Sequence, residues 1–311
     1  MKERGKLRIG TRGSALALWQ AKWVGSRLQA AHRNLAVELV IIKTKGDRIL
    51  DVPLARVGGK GLFVKEIEEA LLDKRVDLAV HSVKDMPAEL PPGLHLAAMP
   101  PRDDARDVLV SREGAGLAHL AHGARVGTSS LRRTAQLYHL RPDLRIEALR
   151  GNLDTRLRKL EDEDLDAIVL AAAGLRRMGM DRVITEYLSP EQVLPAGGQG
   201  ALGLETRTAD ECTNTMVAQI GHQPTMSTVS AERAFLKRLG GGCQVPIGAY
   251  ARMNGEELIL TGMVGELTGQ HLIRKQLRGE TAYAEGLGER LAEEVLAGGG
   301  AEILSAIYAN S

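Results

Sequence analysis

The sequence predicts an α/β protein of two hinged lobes followed by a smaller α/β domain with an antiparallel sheet. Three observations predict it. Short β-branched runs alternate with runs of helical period through the first two hundred residues. Gly/Pro-rich crossings near residues 100 and 197 mark where the chain leaves the first lobe and returns to it, which implies a cleft between lobes. From about residue 222 the pattern changes to a helix, a glycine-rich loop and a meander. The expected domains are 1–99 with 200–217, then 105–194, then 222–311.

Taken in order, Leu7–Arg12 reads as a strand that stops at Gly13, and Ser14 caps a helix through about His32. In that helix Leu16, Trp19, Trp23 and Leu28 fall near helical period. Val37–Lys45 is a β-branched strand, and residues 46–61 are a polar, Gly-bearing loop of lid length. A helix from Leu62 to about Lys74 precedes the strand Asp77–Asp85. After a run punctuated by prolines, a second unit begins near Arg106. It holds strands at 125–128, 145–149 and 165–172 and helices at 130–140 and 152–160. Residues 201–207 form another strand, and a helix over 229–239 leads to the glycine-rich loop. The meander then runs through 249–253, 258–264 and 271–278 to an Ala/Glu/Leu helix. Alternation at this spacing implies largely parallel sheets in the lobes. No internal repeat is visible in the sequence.

Composition excludes several classes. The chain has 311 residues, with 44% hydrophobic and 26% charged, the profile of a globular protein. Aromatics at 3% disfavour a stacking surface for single-stranded nucleic acid. Net charge is only +2, yet 29 of the 41 basic residues are Arg, a bias towards fork-shaped recognition of carboxylate or phosphate. In the stretch 125–177, eight acidic residues are interspersed with ten arginines, which further disfavours nucleic acid. Neither cysteine has metal spacing, no apolar run reaches membrane length, and the polar start is no signal peptide. The expectation is a cytoplasmic monomer with no nucleic-acid, membrane or metal partner.

Ligands of open α/β sheets bind beyond the C-terminal strand ends, where helix N-termini point. Here those ends carry Arg12 and Ser14, then Lys84 and Asp85, then Ser129, Arg132 and Arg133. Arg150 and Arg156 follow the next strand, and Arg177 the one after. A single helical arginine is usually solvated surface, but this many at consecutive junctions point to a site for several carboxylates or phosphates. Asp85 is the one carboxylate among them and the candidate acid/base. His81 reads as packed or hydrogen-bonded within its strand. Gly58–Gly61 lacks Walker spacing, and Cys212 sits incidentally in a polar helix.

Cys243 follows three glycines and precedes Pro246. A lone cysteine is usually a buried, inert thiol. One glycine would end the helix, however, and three with a proline after the cysteine suggest a thiol displayed on a loop as an attachment point or nucleophile.

The chain resembles the porphobilinogen deaminase (hydroxymethylbilane synthase) family over nearly its whole length. The resemblance rests on Thr11–Gln20, Gly58–Glu66, Ala79–Asp85, Gly127–Arg133, Leu149–Arg156, Leu194–Gly200 and Gly241–Gly248, in that order. Ala15 stands where the family often has Pro. The resemblance implies two hinged periplasmic-binding-protein-like lobes and a third domain. It implies a dipyrromethane cofactor joined by thioether to Cys243. It also implies head-to-tail condensation of four porphobilinogen molecules with loss of ammonia, and hydrolytic release of linear hydroxymethylbilane. Asp85 would be catalytic. Lys84, Ser129, Arg132, Arg133 and Arg156 would hold the cofactor, and Arg12, Ser14, Arg150, Arg156 and Arg177 the substrate. A non-catalytic two-lobed anion binder is the rival reading. It needs the arginines but neither Cys243 nor Asp85.

Overall fold

The computed structural model describes residues 5–48, 64–241 and 245–309. The chain divides into two compact units. One runs to Asp103 and resumes over Ala201–Met226, and the other comprises Asp104–Gly200 and the chain from Ser227.

In the first unit, β1 (Lys6–Thr11), β2 (Ala36–Ile41), β3 (Leu78–Ser82), β4 (Leu94–Ala98) and β10 (Leu202–Arg207) form one sheet, ordered β2-β1-β3-β10-β4. The first three are parallel, and β10 runs antiparallel to both its neighbours. Helix α1 (Ala15–Ala31) starts where Ser14 caps it, the Oγ accepting from the Ala17 N–H at 3.3 Å. It buries Val24 and Leu28 with Leu7, Ile9, Leu78, Val80 and Leu204. Helix α2 (Lys65–Leu72) covers the other face with Ile67 and Leu71 against Val76 and Ala79. The expected lid begins in a short helical turn, Lys45–Arg48, and the rest of it lies outside the described residues.

The second unit holds two sheets. In the first, β5 (Asp107–Ser111), β6 (Arg125–Gly127), β7 (Arg145–Glu147), β8 (Ala167–Ala171) and β9 (Glu186–Leu188) are ordered β7-β6-β8-β5-β9. Helices α3 (Leu131–Leu140), α4 (Leu153–Asp162) and α5 (Ala172–Arg177) follow β6, β7 and β8. Leu109 joins one buried cluster with Val126, Leu137 and Val169, while Val108 and Val110 join another with Ile168 and Leu170. That split is the period-2 signature of a strand buried on both faces.

Both five-stranded sheets have the same order: three parallel strands, an antiparallel fourth, then an edge strand. In each, the fourth strand (β10 or β5) is the first strand after the chain passes between units. A topological repeat is therefore present where the sequence shows none. The expected largely parallel sheets are mixed, because that fourth strand enters from the opposite end.

Helix α6 (Glu211–Ala218) closes the first unit's chain, and α7 (Gln223–Arg238) spans the passage at Met226. Beyond it, β11 (Ile247–Asn254), β12 (Glu257–Gly265) and β13 (Leu272–Glu280) make an antiparallel meander. Phe235 of α7 and Leu287, Leu291 and Val295 of α8 (Ala284–Val295) cover one face of it, with a final helix α9 (Ala301–Ala309). Among the described residues no helix is long and apolar enough to cross a membrane.

Candidate active site

Because β1 and β3 are parallel neighbours, their C-terminal ends lie side by side. Arg12 follows β1. After β3, residues Val83–Asp85 make a 3₁₀ turn, in which the Met86 N–H donates to the Val83 carbonyl at 3.0 Å. The strand thus ends at Ser82, three residues earlier than its sequence pattern suggests. The turn places Asp85 on the surface and Lys84 half-buried. Arg12, Gln20, His81, Ser82 and Asp85 line one cavity of about 40 Å³, with Met86 and Ile67 behind them. Gln20 Nε2 donates to Ser82 Oγ at 3.0 Å. Sequence reasoning passed over Gln20. Its signal was a polar residue on the buried face of an amphipathic helix. Ser14 does a structural job as the cap of α1.

In the second unit the corresponding strand ends carry the arginines. Arg132 and Arg133 occupy the first turn of α3 and are 4% and 6% exposed. Arg132 Nη1 donates to Asp107 Oδ2 at 2.7 Å and to the Leu194 carbonyl at 2.6 Å. Arg133 Nη2 donates to Asp107 Oδ1 at 2.7 Å, and its Nη1 to the Val169 carbonyl at 2.8 Å. Gln199 adds a donor to Asp107 Oδ1 at 2.9 Å. Burial alone would raise the Asp107 carboxyl, but the two guanidiniums outweigh it and hold the group well below the usual carboxylate range. Sequence reasoning missed Asp107, the counter-ion to the arginines it singled out.

Ser129 Oγ donates to the Leu149 carbonyl at 2.9 Å, tying the β6 end to the β7 end. After β7, Gly151 has φ +114, and Asn152 caps α4 by accepting from the Thr155 N–H at 2.9 Å. Arg156 Nε donates back to the Gly151 carbonyl at 2.8 Å. Arg150 and Arg156 are half-buried. Arg177, at the end of α5, is buried and donates to the Gly200 carbonyl at 2.6 Å.

Cys243 lies outside the described residues, which stop at Gly241 and resume at Val245. The flanks explain two of its three glycines. Gly240, at φ +65, ends α7, with the Gly241 N–H donating to the Leu236 carbonyl at 2.9 Å. A Cβ on Gly241 would lie 2.9 Å from Ile247 Cδ1. The glycine run is therefore weaker evidence for a displayed thiol than its count suggests.

Two cations against one carboxylate leave a surplus positive charge, buried at the start of α3. In the first unit a carboxylate and a guanidinium share one small cavity. A protein so equipped is built to hold small molecules rich in carboxylates, with an acidic group of its own available for chemistry.

Comparison with known proteins narrows that class. Residues 7–215 match the family model "Porphobilinogen deaminase, dipyromethane cofactor binding domain", and residues 226–297 match "Porphobilinogen deaminase, C-terminal domain". The porphobilinogen deaminase of Syntrophotalea carbinolica is 58% identical over 97% of this chain and 96% of its own. That of Nitratidesulfovibrio vulgaris strain DP4 is 56% identical over 97% and 96%, and that of Pelobacter propionicus 53% over 97% and 97%. The chain belongs to the porphobilinogen deaminase family, transferases of tetrapyrrole biosynthesis that use a dipyrromethane cofactor. The donor set at the start of α3 fits such a group, since each of its pyrroles carries two carboxylates for the surplus charge to meet.

Proposed function

We propose that Asp85 and Arg12 act on the reacting substrate and that the second unit's arginines hold carboxylates of cofactor and substrate. The activity is the stepwise head-to-tail condensation of four porphobilinogen molecules, with loss of ammonia each time and hydrolytic release of linear hydroxymethylbilane. When bound, the dipyrromethane supplies the pyrrole carbon on which the product chain starts. Cys243 would anchor it by thioether, with Lys84, Ser129, Arg132, Arg133 and Arg156 meeting its carboxylates. Arg12, Ser14, Arg150, Arg156 and Arg177 would meet those of the substrate. Asp85 gives a proton to the substrate's aminomethyl nitrogen as it leaves. The resulting carboxylate then faces the cation left on the substrate pyrrole and lowers its energy. Arg12 orients the substrate by its acetate or propionate.

The observation that carries the reading is the shared cavity of Arg12 and Asp85, formed by neighbouring parallel strand ends. The same reading makes the protein a cytoplasmic monomer with domains at 1–99 with 200–217, 105–194 and 222–311. Separate apolar cores under the second unit's two sheets support that division. The test is Asp85→Asn, which keeps shape and removes both proton and charge. Porphobilinogen turnover should fall by about 10²-fold or more. Near-normal turnover in a folded variant would remove Asp85 from the mechanism.

A further inference from the structure

We propose that His81 is a second proton-transfer group of the Asp85 cavity, oriented by Glu205, which shares a proton with Glu68. The inference rests on the reading of Asp85 given above.

The strands put the three residues together. His81 of β3 lies opposite Gly203 of β10, so Glu205, two residues on, is its diagonal neighbour on the same face. His81 is 7% exposed and Glu205 fully buried, and His81 Nε2 lies 2.9 Å from Glu205 Oε2. Helix α2 brings the buried Glu68 beside them, where burial first and Glu205 second raise its carboxyl to about 7. Among the described residues, Glu68 Oε1 and Glu205 Oε1 are both buried with no hydrogen-bond partner. Two carboxylates and an imidazole are costly in an apolar interior, and two orphan oxygens add to the cost. A sheet selected only for stability would carry apolar residues here. A proton residing on the pair removes most of that cost, because close buried carboxylates do not both ionise readily.

Most other charged groups on the packed elements are paired elsewhere or exposed. On β1, Lys6 pairs with Glu38 and Arg8 with Asp77. Arg207 of β10 pairs with Asp210 and Asp77, and His95 of β4 meets Asn214. On α2, Glu66 Oε1 accepts from the Lys45 N–H while its Oε2 is buried with no partner among the described residues, and Lys65 and Glu69 are exposed. Of the three clustered residues, His81 is the one that lines the cavity of Asp85 and Arg12. With Nε2 on Glu205, the ring nitrogen left for that cavity is Nδ1.

Each condensation moves two protons in opposite senses. Asp85 gives one to the substrate's amine nitrogen as the C–N bond breaks, and the bonding pair leaves with ammonia. After the new C–C bond forms, the attacking pyrrole carbon must lose its hydrogen. Its C–H pair would return to the ring, and the proton would go to His81 Nδ1. The imidazolium then returns that proton to the Asp85 carboxylate across the shared cavity. The cycle closes without an external reactant.

The experiment compares holoenzymes of wild type, His81→Gln, Glu205→Gln and Asp85→Asn in porphobilinogen turnover from pH 6 to 9, with cofactor content checked by intact mass. Gln at 81 keeps a hydrogen bond to Glu205 but carries no transferable proton. We expect kcat to fall about 10²-fold with KM within about threefold, and the pH dependence near neutrality to flatten. Glu205→Gln should shift that same limb, and it carries the test if His81→Gln does not fold. Wild-type kcat, or a lower kcat with an unchanged pH profile, in whichever variant is read would overturn the inference and leave the cluster a structural one. Asp85→Asn separates the two readings: its inactivity beside an active His81→Gln sinks this inference alone, and its activity sinks the reading of Asp85.

Discussion

Asp107 meets two arginines, and that ratio decides what losing each partner does. Arg132→Leu leaves Asp107 with Arg133, a neutral pair, so the fold should survive while the surplus charge for the cofactor disappears. Asp107→Asn leaves two buried guanidiniums without an anion and should cost about 3–5 kcal/mol. Chemical denaturation and intact mass read the two effects separately: Arg132→Leu should purify folded but without cofactor. A cofactor-loaded Arg132→Leu protein would move that arginine out of the binding set. The buried carboxylates also give opposite pH signs. Asp107 is depressed in the fold, so its contribution is present above about pH 4 and is lost as pH falls towards its folded value. Glu68 is raised to about 7, so the fold favours its protonated form. That contribution is full below about pH 4 and is lost as pH rises to about 7. Glu68→Gln should therefore stabilise the protein at pH 8 by about 1–3 kcal/mol, and not at pH 4, as urea midpoints at the two pH values would show. Arg12, Asp85 and the helix-start arginines were legible because each stands at a strand end, a local property. Asp107 and Glu205 were not, since their roles arise from contacts with residues 25 and 124 positions away.

Helix starts and long strands were legible for a similar reason: caps and periodicity are written within a dozen residues. The expected α1 and the ends of β1, β6 and β7 lie within two residues of where the sequence puts them. β4, β5 and β9 were missed. With three to five residues each they are short, as β6 and β7 are, but unlike those none runs into an α-helix whose start would mark the strand end. Among the described residues, β4 pairs only with β10, more than a hundred residues on, and β9 only with β5. The β7–α4 junction shows how one glycine serves an element. At φ +114, Gly151 lets the chain turn from the strand into the Asn152 cap, and a Cβ there would lie 2.6 Å from Thr155 Cγ2. Gly151→Ala should cost about 1–3 kcal/mol of local strain. It should displace Arg150 and Arg156 together, because Arg156 is tied to the Gly151 carbonyl. The expected reading is a KM for porphobilinogen raised several-fold with a smaller change in kcat. An unchanged KM would take both arginines out of substrate binding.

For the molecule as a whole, intact mass is the broadest test of the covalent-cofactor reading. The denatured, reduced protein should exceed its sequence mass by two linked pyrrole units, mapped to the peptide containing Cys243. Cys243→Ser should show the sequence mass and negligible activity, while Cys212→Ser should match wild type. An active protein of sequence mass would exclude covalent attachment of the cofactor at Cys243. The order of the sheets has another consequence, in the time dimension of synthesis. β3 and β4 are joined only through β10, which leaves the ribosome about a hundred residues after them. The inserted sheet, by contrast, has all five strands by Leu188. The part of the chain made first is thus completed late, and the nascent β3 edge stays unpaired while the insert folds. Nascent chains halted before Leu202 should be protease-resistant over the insert and cleavable over residues 78–98, with protection there arriving only once Arg207 has emerged.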